Sequence, residues 1–258
     1  MVMNKINIFP YQNLLNYFET VSLDDLDRVR LLDRKDTKFV FNQIDLPHIL
    51  EKLKPFYRIL EINNDRVYTY DTTYFDTDNF LFYVQHHNGS RNRFKVRFRK
   101  YSSNKKSYFE IKIKNNKNRT VKKRLKVDEI NEHLGNQEMD LVSKKTGLTP
   151  SQLTPNLDLE FSRITLTDKN FNERLTIDAN LSAKNGTSNK LFDQLIISEI
   201  KQNKYNPKSD FIRILRNLKI QEMRFSKYCM GLLHVNNNLK YNRFKPRLIQ
   251  INKILAQS

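Results

Sequence analysis

A run of basic residues at alternate positions is the feature of this sequence with the clearest chemical meaning. Within residues 90–99 a positive side chain stands at every second position: Arg91, Arg93, Lys95, Arg97 and Arg99. Side chains alternate between the two faces of a β-strand, so these five would share one face, with neighbours roughly 6.6 Å apart. Because like charges repel one another, the pattern predicts an anionic ligand that offsets them.

Other segments repeat this alternation of charged and apolar faces. The charged sets are Glu110, Lys112 and Lys114; then Lys122, Arg124 and Lys126; and, much later, Glu199 and Lys201. The opposite faces carry Phe94, Val96 and Phe98 in the first segment and Phe109, Ile111 and Ile113 in the next. If the sheet closes with its charged faces inward, they line the interior of a barrel. An open sheet with a solvated face and cross-strand ion pairs has about equal weight on periodicity alone.

The two carboxylates that alternate in phase with the cations suggest a metal. Glu110 and Glu199 would add nothing to a site that only grips phosphate, whereas Mg²⁺ or Mn²⁺ held against phosphate oxygens needs one or two carboxylates. For a single glutamate, an ion pair with a neighbouring arginine is the more common case. With only five glycines and no glycine-rich loop, phosphate would have to be bound by side chains.

The elements that must position these residues follow from the hydrophobic pattern. Strands are predicted at 33–41, 67–75, 90–101, 107–114, 119–127, 157–167, 174–181 and 195–201. Helices are predicted around Leu14, from Ser22 with Asp25 completing its cap, at 46–53, within 128–153, from Ser209 and at 225–234. About eight antiparallel strands predict an α+β fold, a β-barrel with flanking helices and a helical insertion. The basic tail, 240–253, is expected to extend past the main fold.

Composition agrees with an anionic partner. The 258 residues include 46 Lys and Arg against 28 Asp and Glu, a net charge of +18. Such a charge is typical of a protein that binds nucleic acid, an acidic membrane or a phosphate-rich ligand, although a merely basic surface has about equal weight on charge alone. Single-stranded nucleic acid is disfavoured because Phe94 and Phe98 lie opposite the arginines, where they could not stack on bases. One cysteine excludes an intrachain disulfide, and no secretory or membrane-spanning run is present, so a cytoplasmic location is expected.

Motifs in a fixed order resemble the polyphosphate polymerase (VTC) domain of the triphosphate tunnel metalloenzyme (CYTH-like) superfamily. They span about residues 28–232 and comprise residues 34–40 (RKDTKFV), 74–76 (YFD), 97–101 (RFRKY), 109–112 (FEIK), Arg163, 198–201 (SEIK) and 225–228 (FSKY). The resemblance implies an antiparallel barrel with a basic lumen. It also implies transfer of the γ-phosphoryl group of ATP to a growing polyphosphate chain, assisted by Mn²⁺ or Mg²⁺. The domain itself would cover 28–234, between an N-terminal helical segment, 1–27, and a tail, 235–258.

The resemblance also suggests roles for individual residues. Catalytic contacts with phosphate are expected from Arg97, Arg99, Lys112, Arg163 and Lys227. Substrate binding is expected from Lys38, Arg93, Lys95, Lys114, Lys122, Arg124, Lys201 and Ser226, and metal binding from Glu199 and Glu110. The expected partners are ATP and inorganic polyphosphate, with no nucleic acid and with docking to a membrane partner left open.

Two departures from related patterns bear on activity. The hydrolase branch of the superfamily carries Glu-x-Glu-x-Lys near its start, whereas this chain has Arg34, Asp36 and Lys38, which favours the polymerase-like branch. Phe161 stands where the polymerase pattern has tyrosine, so one hydroxyl contact is missing. A tripolyphosphate or nucleoside-triphosphate hydrolase, and a non-enzymatic binder of polyphosphate or nucleic acid, remain as alternatives.

Overall fold

The structure, a computed structural model, describes residues 11–28, 35–116, 120–130 and 133–256. In chain order, its helices are α1 Gln12–Leu15, α2 Leu23–Arg28, α3 Leu46–Leu53, α4 Leu81–Asn88, α5 Asn136–Thr146, α6 Asp210–Asn217, α7 Lys227–Val235 and α8 Lys245–Leu255. Its strands are β1 Thr20–Val21, β2 Lys35–Asn42, β3 Tyr57–Leu60, β4 Tyr68–Asp76, β5 Arg93–Tyr101, β6 Ser107–Lys114, β7 Thr120–Val127, β8 Thr154–Asp168, β9 Glu173–Asn185, β10 Ser188–Phe192 and β11 Leu195–Gln202.

Eight strands form one continuous path in the order β2-β11-β9-β8-β4-β5-β6-β7. Every neighbouring pair along this path is antiparallel, as the alternating pattern predicts. The three short strands lie beside it: β3 pairs with β8, β1 runs parallel to β3, and β10 extends β9 as a hairpin. The predicted eight antiparallel strands are therefore confirmed.

The sheet is rolled, because strands far apart along the path face one another. Lys112 on β6 and Lys38 on β2 are six strands apart, which would be about 29 Å in a flat sheet at roughly 4.8 Å per strand. The segment 223–226 nevertheless contacts both β2 and β5, because the Met223 amide donates a hydrogen bond of 2.8 Å to the Lys38 carbonyl and Lys95 donates one of 3.0 Å to the Ser226 hydroxyl. In agreement, burial and the charges of Lys95 and Lys38 lower the pKa of Lys112 to about 8. In the part of the chain that is described, no hydrogen-bonded pairing joins β7 to β2. The predicted barrel is thus confirmed in approximate form, without a closed ladder.

The apolar faces of the strands pack outward under helices. Val96 and Phe98 of β5 are 0% and 1% exposed and pack with α5 residue Val142. On the other side of the roll, α3 and α6 cover the outer faces of β2, β8 and β9. This arrangement leaves the charged faces of the strands on the inner side, which we call the concave face, as the first of the two predicted alternatives requires.

Helix α7 closes in on the concave face from one end. Its Gly231 lies so close to β8 and β9 that an added Cβ would stand 2.9 Å from Leu159 and 3.2 Å from the Cβ of Ala183. Only a glycine allows the helix to approach this closely. The helix begins where predicted, because the hydroxyl of Ser226 accepts a hydrogen bond of 3.2 Å from the amide of Cys229.

Several sequence predictions need correction. The helix predicted within 128–153 is limited to α5 and a 3₁₀ turn at Pro150–Gln152, since Gly135 and Gly147 bound it. Strands β1, β3 and β10 and helix α4 were not predicted, because short elements leave little periodicity. Arg91 precedes β5 and is exposed, so it does not belong to the alternating row. Residues 33 and 34 of the first predicted strand lie outside the described residues.

The basic tail does not project from the fold. Its main part is helix α8, whose Ile251 is fully buried. The side-chain amide of Asn42 on β2 donates a hydrogen bond of 2.9 Å to the carbonyl of Ile254. The tail was misjudged because apolar residues at helical spacing, Leu248, Ile251 and Leu255, are interleaved with its charges. At the other end, the predicted cap of α2 is confirmed, since the Asp25 amide donates to the Ser22 hydroxyl.

Candidate functional site

The candidate site is the concave face, where cations from several strands and α7 converge. Its charged groups include nine cations and three carboxylates: Lys38, Lys95, Arg97, Arg99, Lys112, Lys122, Arg163, Lys201 and Lys227, with Glu110, Asp178 and Glu199. Asp36 and Arg174 share this face as cross-strand partners of Lys201, so ten cations stand against four carboxylates among the described residues, a local excess of six positive charges. Strand alternation explains why they share a face, and the roll of the sheet brings them together.

Glu199 lies between two lysines on β2 and β11. It stands directly opposite Lys38, with 2.9 Å from its Oε2 to the Lys38 Nζ, and its Oε1 lies 3.0 Å from the Nζ of Lys201. Burial opposes the ionisation of this carboxyl, but the two lysines outweigh it and hold the pKa of Glu199 well below its usual range. The carboxylate is still about 20% exposed on the concave face.

Glu110 is more deeply buried and orients an arginine. Its side chain is 1% exposed, its Oε2 lies 2.6 Å from the Nη2 of Arg97, and its Oε1 contacts the Nζ of Lys122. Burial opposes ionisation here too, yet Arg97 and Lys122 hold the pKa of Glu110 at about 2. Arg97 also donates a hydrogen bond of 3.0 Å to the Tyr74 hydroxyl. The predicted alternative, an ion pair with a neighbouring arginine, thus describes Glu110, whereas Glu199 pairs with two lysines.

A third carboxylate, Asp178 on β9, was not singled out from the sequence. It accepts hydrogen bonds from the Nε and Nη2 of Arg163, of 2.5 and 2.8 Å, and contacts the Nζ of Lys227. The sequence does carry a signal for it, which is the alternation of polar and apolar side chains along the strand: Arg174, Thr176 and Asp178 alternate with Leu175, Ile177 and Ala179. A single acid on the polar face of an otherwise apolar strand indicates a buried partner.

Aromatic rings form one wall of the concave face. Tyr70 and Phe161 are stacked with centroids 5.2 Å apart. Arg163 lies 4.7 Å from the centroid of Tyr70, Lys227 lies 4.7 Å from that of Phe161, and Arg99 lies 5.7 Å from both. Cations over ring faces are stabilised by the ring quadrupole. Phe161, the position of the missing hydroxyl, therefore lies inside the site, where its ring helps to hold three cations.

Three cations lack a carboxylate partner among the described residues. Lys95 donates a hydrogen bond of 3.0 Å to the hydroxyl of Ser226, and Arg99 donates one of 3.1 Å to the hydroxyl of Thr72. Lys112 has no ion pair in the described part of the chain, and its lowered pKa follows from burial and from its cationic neighbours. The unneutralised charge of the concave face is therefore concentrated around Lys95, Arg99 and Lys112, where an anion would be held most strongly.

The remaining predicted residues lie at the margin. Arg93 and Lys114 are paired at the adjoining ends of β5 and β6, beyond Lys95 and Lys112. Arg124 on β7 is exposed and lies over the ring of Tyr108, with 4.8 Å from its guanidinium carbon to the centroid. The structure thus brings twelve of the fifteen predicted site residues together and leaves Arg93, Lys114 and Arg124 around them.

The donor set limits how a divalent metal could be held. Among the described residues, no group of three His, Cys, Asp or Glu side chains is placed to bind a metal ion. Glu110 is enclosed by Arg97 and Lys122, which leaves Glu199 as the predicted ligand that reaches the open part of the face. One carboxylate fits a metal that takes most of its ligands from phosphate oxygens and water, as Mg²⁺ commonly does.

The fold and site define a class of protein in which a rolled antiparallel sheet carries a strongly cationic concave face. The chain belongs to the VTC domain family, since the model of the VTC domain matches residues 33–236. No curated protein matches the sequence. A search of the helices in the described residues finds none that is both long and apolar enough to cross a membrane.

Solved structures resemble this chain in outline. A proposed adenylyl cyclase from Hippeastrum, described as having a dominant triphosphatase activity, is 13% identical with a TM-score of 0.48, over 82% of this chain and 95% of its own. A proposed adenylate cyclase from Vibrio parahaemolyticus is 10% identical with a TM-score of 0.45, over 77% and 97%. The PH1819 protein from Pyrococcus horikoshii is 13% identical with a TM-score of 0.43, over 77% and 99%. The family assignment rests on the VTC domain match alone.

Proposed function

We propose that this protein is an ATP-dependent polyphosphate polymerase that transfers the γ-phosphoryl group of ATP to the end of an inorganic polyphosphate chain on the concave face. The observation that carries the proposal is the excess of six positive charges on an inner surface. Its centre, Lys95, Arg99 and Lys112, has no carboxylate partner among the described residues. Membership of the VTC domain family supports a phosphate substrate.

The chemistry suits such a surface. In the transfer, the bond from the γ-phosphorus to the β,γ-bridging oxygen breaks, and a terminal oxygen of the acceptor chain forms the new bond. ADP leaves with the bridging oxygen. Because the attacking oxygen is already anionic, no general base is required, and the work is positioning and neutralisation of charge. A surface rich in fixed guanidinium and ammonium groups supplies both.

The residues divide by their position. The residues proposed to contact the transferred phosphoryl group all lie on the concave face: Arg97, Arg99, Lys112, Arg163 and Lys227. Arg97 and Arg163 are each held by a carboxylate and an aromatic ring, so their donors are fixed before substrate binds. The other basic residues and Ser226 are proposed to bind the remaining phosphates of the two substrates.

Glu199 is the proposed protein ligand for Mn²⁺ or Mg²⁺ that accompanies the phosphates. Such an ion supplies neutralisation of charge on the phosphate oxygens. Lys38 and Lys201 keep the Glu199 carboxylate ionised, so it needs no deprotonation before it meets a cation. Glu110 has a different proposed role, which is to orient Arg97 from below the surface.

The test is a product assay with purified protein, ATP and Mn²⁺ or Mg²⁺, with chain length and nucleotide measured together. The proposal expects polyphosphate longer than the primer and one ADP for each phosphate added. ADP with an equal amount of free phosphate, and no polymer, would instead show a hydrolase. Tight polyphosphate binding without turnover under all metal conditions would show a binding protein. Arg163→Ala should abolish polymer formation, and Arg213→Ala, on the exposed side of α6, is the matched control.

A further inference from the structure

A group of four cations stands at the edge of the concave face, at the ends of β5 and β6. Arg93 and Lys114 are direct cross-strand partners, which places two like charges side by side. Such pairs destabilise a sheet unless something neutralises them. Arg93 also donates a hydrogen bond of 2.9 Å to the carbonyl of Ser90, which fixes its guanidinium at this end of the strand.

The other two cations come from elements distant in sequence. Arg224 is exposed in the segment before α7, and Arg247 is in the first turn of α8, with its guanidinium carbon 5.3 Å from the centroid of the Phe244 ring. Burial and the charges of Arg93 and Arg224 lower the pKa of Lys114, and burial and Arg224 lower that of Arg247. Arg224 stands two residues before Ser226, whose hydroxyl accepts a hydrogen bond of 3.0 Å from Lys95, the neighbour of Arg93 on the same face of β5. The effect of Arg224 on the pKa of Arg93, Lys114 and Arg247 agrees with this position, and we call the four residues the mouth cluster.

No carboxylate neutralises the mouth cluster within the described residues. The ion pairs of this part of the chain involve none of the four side chains. By contrast, three carboxylates of the concave face each hold at least two cations. The mouth cluster is thus the less neutralised of the two surfaces.

The mouth cluster continues the concave face without a break. On β5, Arg93 lies about 6.6 Å beyond Lys95 on the same face. On the antiparallel neighbour β6, Lys114 lies the same distance beyond Lys112, in the same direction. The bond between Lys95 and Ser226 ties α7 to this row of cations. An extended anion that leaves the concave face along β5 and β6 would meet the mouth cluster next.

We propose that Arg93, Lys114, Arg224 and Arg247 form a second binding subsite, which holds a linear polyphosphate chain where it passes out of the concave face. The proposal rests on the proposed function for the identity of the chain and deepens it. It includes a residue, Arg247, that lies beyond the region matched by the VTC domain model. A single strand of nucleic acid is less suited, since Phe244 is 4% exposed and offers no free face for base stacking.

The experiment compares long linear polyphosphate with tripolyphosphate, in EDTA and without nucleotide, so that no turnover is needed. The variant Arg224→Ala/Arg247→Ala is measured against Arg216→Ala/Lys253→Ala, which removes two exposed charges elsewhere, one of them on the same helix. We expect the first variant to bind long polyphosphate about tenfold more weakly, with a shallower dependence of Kd on salt, and to bind tripolyphosphate as the wild type does. The control should leave both affinities within about twofold.

Folding is checked by thermal melting, and Arg247→Met keeps the contact with Phe244 if the alanine variant melts early. Equal weakening for both ligands, or the same effect in the control, would overturn a separate subsite. Loss of binding to an oligouridylate, with long-chain polyphosphate unaffected, would overturn polyphosphate as the occupant. A wild-type protein that makes no polymer yet shows the expected difference would leave the subsite standing and remove the synthetic function.

Discussion

Arg163 on β8 and Asp178 on β9 are direct cross-strand partners, joined by two hydrogen bonds of 2.5 and 2.8 Å. Asp178 also contacts Lys227 at the start of α7. One buried carboxylate therefore fixes two cations that come from different parts of the chain. The geometry of the candidate site depends on it even though Asp178 is 3% exposed and offers little surface to a ligand.

Replacement of this carboxylate should cost stability. Asp178→Asn leaves Arg163 and Lys227 beside one another without a counter-charge, and breaking a buried ion pair typically costs about 3 kcal/mol or more. We expect a loss of about that size in the free energy of unfolding, measured by urea denaturation. Asp128→Asn, on an exposed turn, is the matched control. Equal stability of the two variants would contradict the assigned role.

The same residue should shape the response to acid. Burial opposes ionisation of Asp178, but Arg163 and Lys227 lower its pKa to about 2, below its ordinary value of 3.8. Because the folded-state pKa is the lower one, its contribution, about 2 kcal/mol, is present above pH about 4 and lost as the pH falls through about 2. Stability curves of wild type and Asp178→Asn should therefore converge in this range. Curves that stay parallel would refute the assignment.

Loss of the proposed metal ligand should separate turnover from binding. Glu199→Gln removes a negative charge from the concave face, so polyphosphate should bind as tightly or more tightly. Turnover with Mn²⁺ or Mg²⁺ should fall at least about 100-fold if this carboxylate holds the ion. Both quantities are measured on the same preparation, with Glu160→Gln on the outer face of β8 as the control. Undiminished turnover would remove Glu199 from the metal site.

Lys112 should make anion binding depend on pH. Its pKa, lowered by burial and by Lys95 to about 8, means that its positive charge is lost as the pH rises through about 8. Tripolyphosphate affinity should then fall by up to about tenfold across this range, the effect of one charged hydrogen bond. Lys112→Met should bind weakly throughout, with a flatter profile, whereas Lys123→Met on the outer face of β7 should follow the wild type. Isothermal titration at several pH values measures this.

By linkage, Lys112 also affects stability without ligand. Burial and Lys95 lower the folded-state pKa of Lys112 to about 8, against 10.5 in the unfolded chain, so its charge destabilises the fold fully below pH about 8. Between about 8 and 10.5 the folded protein has already lost this proton, and the penalty diminishes as the pH rises. Lys112→Met should abolish that rise in the free energy of unfolding. A wild-type profile that is flat over this range would show that Lys112 is not perturbed in the way described.

The close approach of α7 should be sensitive to a single methyl group. Gly231→Ala places a Cβ 2.9 Å from Leu159, and overpacking of this kind costs about 1–3 kcal/mol. Since the helix carries Lys227, its displacement should also lower turnover. The second change Leu159→Val removes the clashing atom and should restore part of both losses in a double-mutant cycle. Strictly additive losses would show that the two side chains do not compete for space.

Much of the strand architecture was predictable, because it depends on local periodicity. The alternation in residues 93–99 determined which side chains share a face, and Val96 and Phe98 are buried as that pattern requires. Order and spacing of short motifs carried the family resemblance, which the VTC domain match confirms. The roles proposed for the individual site residues stay predictions.

Partnerships between distant residues were not predictable. Asp178 contacts Arg163 and Lys227, which are 15 and 49 residues away in the sequence. Lys95 and Ser226 are 131 residues apart in the sequence. No pattern in one segment specifies which other segment it will face. Helix α8 was misjudged for the same reason, since its charges dominate its composition while the burial of Ile251 depends on β2.

The sequence by itself determined which charged and which apolar side chains share a face of each strand, because side chains alternate between the two faces of any extended backbone. Only the tertiary structure decided that the charged faces turn inward, that the sheet rolls until Lys38 and Lys112 interact, and that Ser226 at the start of α7 meets Lys95 on β5. These features depend on the register between strands and on where the helices pack, which many residues set together.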